Sequence, residues 1–114
     1  MSVPENTAST APATMTVIRY EARPDAADAN QRLIEKVFAE LRAEHPDGVR
    51  YAAFRSADGN EFIHLLSVDE AVAGGNPITA LAAFAEFQHG IGERVVAPPN
   101  RVQLDVIGAY GLLQ

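Results

Sequence analysis

Residues 49 to 69 read VRYAAFRSADGNEFIHLLSVD, a hairpin signal near the middle of the chain. Two runs with strand-like composition, 49–57 and 61–69, flank the triplet Asp58-Gly59-Asn60. Glycine and asparagine tolerate the positive φ angles that a tight turn between antiparallel strands needs. The segment therefore predicts two neighbouring antiparallel strands joined by a short turn.

One strand and one helix are predicted on the amino-terminal side of this hairpin. Residues 15–23 alternate as a strand, with Thr16, Ile18 and Tyr20 on one face. After Pro24, Asp25 is a candidate helix cap, and the apolar stripe through Val37 predicts a helix that ends near residue 44.

A second helix and a last strand are predicted on the carboxyl-terminal side. Asn76-Pro77 is a helix start, since asparagine caps the first turn and proline needs no hydrogen-bond donor there. The apolar face continues to Ile91, and Pro98-Pro99 ends the helix. Residues 101–110 then alternate as a fourth strand.

The resulting order is strand, helix, strand, strand, helix, strand. This order predicts a ferredoxin-like α+β sandwich, a four-stranded antiparallel sheet with two helices on one face, over residues 15–114. Residues 1–14 lack an apolar run and are predicted to be a flexible tail. Both faces of the predicted sheet carry apolar residues, so we expect the open face to be covered by a second copy of the chain, a homodimer.

Composition excludes several classes of function. Nine basic and fifteen acidic residues give a net charge of −6, which repels the phosphates of nucleic acid. No apolar run approaches the length of a membrane span, so no membrane partner is expected. Cysteine is absent, which rules out disulfides and thiolate chemistry and fits a cytoplasmic protein.

The chain resembles the antibiotic biosynthesis monooxygenase-like family of the dimeric α+β barrel superfamily. The segments that carry the resemblance are 16-TVIRY-20, 84-FAEFQ-88, 94-RVVAPP-99 and 106-VIGAY-110. The resemblance implies two sheets packed face to face and, in some members, oxidation of phenols or quinols by dioxygen without metal or flavin. The members that degrade haem carry an asparagine on strand one and a tryptophan near strand three. This chain has no asparagine on its predicted first strand and no tryptophan, so haem degradation is not expected.

Histidine is the side chain best suited to proton transfer at neutral pH. His64 lies within strand three and His89 near the end of the second helix, and either is a candidate catalytic base or a merely structural histidine. Arg55 is a candidate for stabilising an oxyanion. With Glu86 or Glu93 the two histidines would resemble a metal triad, but no ligand spacing supports one, so no metal is expected.

The candidate substrate-binding residues are aromatic, and they are expected to line a cavity between the second helix and the sheet. They are Tyr20, Tyr51, Phe62, Phe84, Phe87 and Tyr110. Two functions follow as alternatives. One is a cofactor-free monooxygenase acting on a small aromatic, phenolic or quinol compound; the other is a dimer that binds such a ligand, or only serves a structural role, without turnover.

Overall fold

The computed structural model of the protein describes residues 14–57, 59–69 and 76–111. Four strands and one long helix form its frame: β1 (Thr14–Glu21), α1 (Ala27–Glu44), β2 (Val49–Arg55), β3 (Glu61–Val68) and β4 (Asn100–Asp105). Between β3 and β4 lie a 3-10 turn (Pro77–Ala80), α2 (Ala82–Gln88) and the single turn α3 (Ile91–Arg94). The predicted order is confirmed. The predicted tail, except Thr14, falls outside the described residues.

The four strands form one antiparallel sheet in the order β2-β3-β1-β4. This is the ferredoxin-like α+β fold that the sequence predicts. The register pairs His64 with Ile18 on β1 and with Ala53 on β2. Because side chains alternate across a strand, His64 shares the helix-covered face of the sheet with Phe62 and Tyr20.

The core lies between this face of the sheet and the helices. Its buried members come from every layer of the fold: Tyr20, Ala22, Ala27, Ile34, Val37, Phe62, Ile78, Leu81, Phe87 and Val95. Two polar side chains are buried with them, Asn30 at 0% exposure and His64 at 3%. Every buried side-chain N or O atom among the described residues has a hydrogen-bond partner.

The second helix differs from the prediction of one continuous element. Leu81 has extended backbone angles and separates the 3-10 turn from α2. Gly90, at φ 80°, separates α2 from α3, in a left-handed conformation that side chains disfavour and glycine accepts. The start is as predicted: Asn76 accepts a hydrogen bond from the backbone N–H of Ile78 at 2.8 Å.

The structure corrects three details of the prediction, which are a helix cap, the conformation of a turn and the end of a strand. Asp25 does not cap α1, because the preceding residue is Ala26 and no side chain caps the helix. The turn between β2 and β3 does not use positive φ at Gly59 or Asn60, and Asp58 falls outside the described residues. The last strand ends at Asp105 instead of continuing to Tyr110.

Candidate functional site

A continuous chain of hydrogen bonds runs through the core on the helix-covered face. The hydroxyl of Tyr20 lies 2.9 Å from Nε2 of His64, and the hydroxyl of Tyr51 lies 2.7 Å from Nδ1 of the same ring. Three neighbouring strands supply these side chains, since Tyr20 is on β1, His64 on β3 and Tyr51 on β2. The sheet register therefore places an imidazole between two phenols.

Two further residues extend this chain toward the helices. Asn30 of α1 donates its amide N–H to the Tyr20 hydroxyl at 2.9 Å. Arg94 of α3 donates from Nε to Oδ1 of Asn30, also at 2.9 Å. The chain of hydrogen bonds is thus Arg94–Asn30–Tyr20–His64–Tyr51, buried at its three central residues and half-buried at both ends, with a cation at one end. We call these five side chains the polar chain.

Burial keeps the polar chain electrically neutral except at Arg94. Desolvation lowers the pKa of His64 to about 4, because the interior disfavours the imidazolium. Desolvation also raises the pKa of Tyr20 to about 12, opposed by the Asn30 hydrogen bond and the Arg94 charge. The pKa of Tyr51 is raised above its usual value by burial and then by Tyr20. At neutral pH these three groups therefore act as hydrogen-bond donors and acceptors, without charge.

Two adjacent cavities lie between α1 and the edge strand β2. One, of about 300 Å³, is lined by Phe38, Leu41, Arg42, His45, Pro46, Val49 and Tyr51. The other, of about 260 Å³, shares Phe38 and Arg42 and reaches Arg55 and Phe62. Phe38 stacks on Tyr51 with ring centroids 4.8 Å apart. We call the two cavities together the edge groove.

Arg55 has a well-defined structural environment beside the edge groove. Its guanidinium donates to Asp28 at 3.0 Å and Gln31 at 2.8 Å on α1, and to Asn60 in the hairpin turn at 3.3 Å. It also lies over the ring of Phe62, 5.4 Å from its centroid. The contacts fix Arg55 between helix, turn and sheet, with its side chain 27% exposed.

The structure brings together some of the predicted site residues and separates others. Tyr20, Tyr51 and His64 join in the polar chain, and Phe87 packs against His64 with ring centroids 5.7 Å apart. The rings of Phe84 and Phe87 are 6.2 Å apart at the edge of the same core. These packed rings occupy the space between α2 and the sheet where the sequence predicted a cavity.

The remaining predicted residues lie apart from the polar chain. His89 is exposed at the end of α2, and its backbone carbonyl accepts a hydrogen bond from Arg94 at 3.1 Å. Tyr110 is 98% exposed, beyond the end of β4. Within residues 14–57, 59–69 and 76–111, no three histidine, aspartate or glutamate side chains converge as metal ligands. No helix in these same ranges is long and apolar enough to cross a bilayer.

Asn30 and Arg94 are not among the site residues predicted from the sequence. Asn30 lies on the same stripe of α1 as the buried Ala27, Ile34 and Val37, and a polar residue within an apolar stripe is a signal for a buried hydrogen bond. Arg94 carries no such signal, because its contact with Asn30 depends on the backbone break at Gly90.

Several solved structures share this fold. Rv0793 from Mycobacterium tuberculosis matches with a TM-score of 0.66 and 24% identity, covering 84% of this chain and 96% of that one. A protein from Nitrosomonas europaea, provisionally named an antibiotic biosynthesis monooxygenase, has a TM-score of 0.67 and 14% identity over 83% of this chain and 99% of its own. A structure named antibiotic biosynthesis monooxygenase has a TM-score of 0.64 and 16% identity, with coverages of 83% and 99%.

At these identities the similarity defines the fold. No protein-family model matches the chain, and no curated protein matches it. The resemblance to the antibiotic biosynthesis monooxygenase-like group is thus confirmed in fold, through solved structures that bear that name. Because one fold can carry many different activities, the shared fold alone does not assign an activity to this chain.

Proposed function

We propose that this protein is a monooxygenase that oxidises a small aromatic, phenolic or quinol compound with dioxygen and without a bound cofactor. The observation that carries the proposal is the buried Tyr20–His64–Tyr51 array, whose half-buried end, Tyr51, lines the edge groove. The fold is also that of solved structures named for this class of activity.

The chemistry assigned to the polar chain is stabilisation of a substrate anion. A phenol or an anthrone reacts with dioxygen only after it loses a proton, here to water in the solvent-exposed edge groove, and a hydrogen-bond donor at its oxygen makes that loss easier. Dioxygen then adds to the carbanion, and the resulting peroxide anion takes a proton back from water. The hydroperoxide loses water, so that one oxygen atom becomes a ketone oxygen and the other leaves as water. Tyr51 is the proposed donor, and His64 is the residue that orients it.

This role for His64 differs from a catalytic base. Both of its ring nitrogens are engaged by tyrosine hydroxyls, and its pKa of about 4 disfavours a full proton transfer to the ring at neutral pH. A neutral imidazole in this position transmits a hydrogen bond and holds Tyr51 in one orientation. The size of the edge groove, cavities of about 300 and 260 Å³, suits a compound of one or two rings.

The same engaged imidazole favours a second candidate function, a binding module without turnover. A site whose buried histidine is held between two tyrosine hydroxyls can still bind an aromatic ligand through apolar contacts and one hydrogen bond. The two functions share the edge groove and Tyr51, and they differ in whether dioxygen is consumed.

Oxygen uptake by the purified protein against a panel of anthrones, quinols and small phenols tests both functions. Tyr51→Phe removes the hydroxyl and keeps the ring that stacks on Phe38, so we expect its turnover to fall by roughly 100-fold. His89→Ala, at an exposed position, is the matched control and should leave uptake unchanged. Uptake that is indifferent to Tyr51→Phe refutes the proposed mechanism.

The binding module has its own outcome in the same panel. Binding of one panel member per chain without uptake, weakened by Tyr51→Phe, supports that candidate and refutes the oxygenase. If no member binds or is oxidised, both functions are refuted and only the fold stands.

We also propose that the protein is a homodimer through the open face of the sheet. This face carries Val17, Ile63 and Leu65 on the inner strands and exposes Phe54 (52%), Val102 (46%) and Leu104 (46%). An apolar sheet face of this kind is typical of an interaction surface, and a second copy presents the same face about a twofold axis.

The proposed location is the cytoplasm. The chain has no cysteine, so its stability does not depend on an oxidising compartment. Fractionation of cells that express the tagged protein tests this placement, and recovery from the culture medium would contradict it.

A further inference from the structure

We propose that Asn30 and Arg94 are positioning residues that fix the direction in which the hydrogen bonds of the polar chain are donated. With this direction fixed, the hydroxyl proton of Tyr51 points away from His64 and toward an oxygen atom of the ligand. The identity of the ligand rests on the proposed function; the direction of the chain does not. The consequence is a site that selects ligands with an acceptor oxygen, such as a ketone, a quinone or a phenolate.

The direction begins at Arg94, which can only donate hydrogen bonds. Its Nε binds Oδ1 of Asn30, and its two other nitrogens bind the backbone carbonyl oxygens of Phe87, at 2.5 Å, and His89, at 3.1 Å. The guanidinium also lies over the Phe87 ring, 5.3 Å from its centroid. These contacts hold the cation in place, and they require Asn30 to present its carbonyl oxygen to Arg94.

Asn30 passes this direction to Tyr20. With its oxygen facing Arg94, the amide presents N–H to the Tyr20 hydroxyl at 2.9 Å, and full burial leaves the amide no alternative partner in water. The oxygen of Tyr20 therefore accepts a hydrogen bond from Asn30, and the hydroxyl proton of Tyr20 must be donated to another partner.

The proton of Tyr20 decides the tautomer of His64. Among the described residues the Tyr20 hydroxyl has one other partner, Nε2 of His64 at 2.9 Å, so this nitrogen accepts. A neutral imidazole then carries its proton on Nδ1 and donates it to the Tyr51 oxygen at 2.7 Å. The opposite tautomer would leave the Tyr20 proton buried without an acceptor, which is unfavourable.

Tyr51 ends the chain with an unused proton. Its oxygen accepts from His64, and no other described residue accepts its O–H. Tyr51 is half-buried and lines the edge groove, so a ligand there is the available acceptor. A ligand group that can only donate finds no matching partner at this hydroxyl.

The decisive measurement is the tautomer of His64 in the full chain, read from long-range ¹H–¹⁵N correlations of its imidazole at about pH 7. We expect the Nδ1–H form in the wild-type protein. In Asn30→Asp the introduced carboxylate accepts from both Arg94 and Tyr20, which reverses the chain and should convert His64 to the Nε2–H form.

Gln31→Glu is the matched control, because it makes the same amide-to-carboxylate change at the next residue of α1, outside the polar chain. His64 should keep the Nδ1–H form in this variant. An Nε2–H form in the wild-type protein overturns the inference, and so does an unchanged tautomer in a folded Asn30→Asp variant. If that variant does not fold, the wild-type tautomer alone decides.

Ligand selection is tested with an aromatic ketone and the corresponding aromatic hydrocarbon, which has no oxygen to accept a hydrogen bond, titrated by calorimetry. Tyr51→Phe and Asn30→Asp should each weaken ketone binding by about ten-fold, the equivalent of one hydrogen bond, and should leave hydrocarbon binding unchanged. Equal losses for both compounds overturn the selection of acceptor oxygens. A confirmed tautomer with no ketone binding refutes the proposed ligand class and leaves the direction of the chain intact.

Discussion

His64 is expected to make the protein unusually sensitive to mild acid. In the folded chain its pKa is about 4, against 6.5 in the unfolded chain. The unfolded state therefore binds a proton more readily, and stability is lost as the pH falls from about 6.5 to about 4. The contribution of His64 to the free energy of unfolding is therefore fully present above its pKa in the unfolded chain. It is fully lost below its pKa in the folded chain.

The size of the effect follows from these two values. Integrating the difference in proton binding gives a loss of about 2 kcal/mol between about pH 7.5 and about pH 5, with about 1 kcal/mol more at lower pH. A loss of this size is a large fraction of the stability of a small domain, which is about 5–15 kcal/mol. The loss of stability caused by His64 is therefore large enough to be measured beside the changes in stability that come from titrating surface carboxylates.

Urea unfolding of the wild-type protein and His64→Gln at the two pH values measures this term. Glutamine has no charge to gain and can both donate and accept, so we expect the variant to lose about 2 kcal/mol less than the wild type over the interval. His89→Gln, at an exposed position, should follow the wild type. Identical pH dependence in wild type and His64→Gln would show that His64 does not titrate as its burial requires.

Three further predictions concern the packing of the helices and the open face. Glu40 accepts hydrogen bonds from two backbone N–H groups at the start of α2. Glu40→Ala should therefore lower the free energy of unfolding, measured by thermal unfolding, by about 1 kcal/mol, whereas Glu40→Gln should retain most of this stability. Gly90→Ala should destabilise by about 1 kcal/mol because of the left-handed backbone, whereas Gly92→Ala, in α3 with open space around its Cβ, should not. Leu104→Lys should convert the proposed dimer to a monomer in sedimentation velocity, whereas Gln103→Lys, on the opposite face of β4, should not; a monomeric wild-type protein would contradict the dimer.

The sheet could be predicted because its information is local. Alternation around Tyr20 and His64 and the turn residues near Gly59 specify strands and a hairpin from a few neighbouring positions. The order of elements then leaves few topologies, and the ferredoxin-like arrangement is one of them. The strand register decides which face of the sheet His64 occupies, and it could be read only from the strand pairing in the structure.

The site was less predictable because it joins residues that are distant in sequence. Tyr20, Tyr51 and His64 could be named as candidates from their type, but their mutual hydrogen bonds depend on three-strand pairing. Asn30 and Arg94 are 64 positions apart, and nothing near either residue indicates the other. Local patterns also failed at the second helix, where the apolar periodicity continues through the interruptions at Leu81 and Gly90.

The interruption at Gly90 has a consequence for any attempt to engineer this fold. Had α2 continued as a regular helix from Gln88, Arg94 would lie about 9 Å farther along the axis, at a rise of about 1.5 Å per residue. The bend instead folds the chain back, so that the guanidinium meets the carbonyl groups of the helix it has just left and the amide of Asn30. A design that regularised this segment for helical propensity would improve the local backbone and move the only cation of the polar chain away from Asn30.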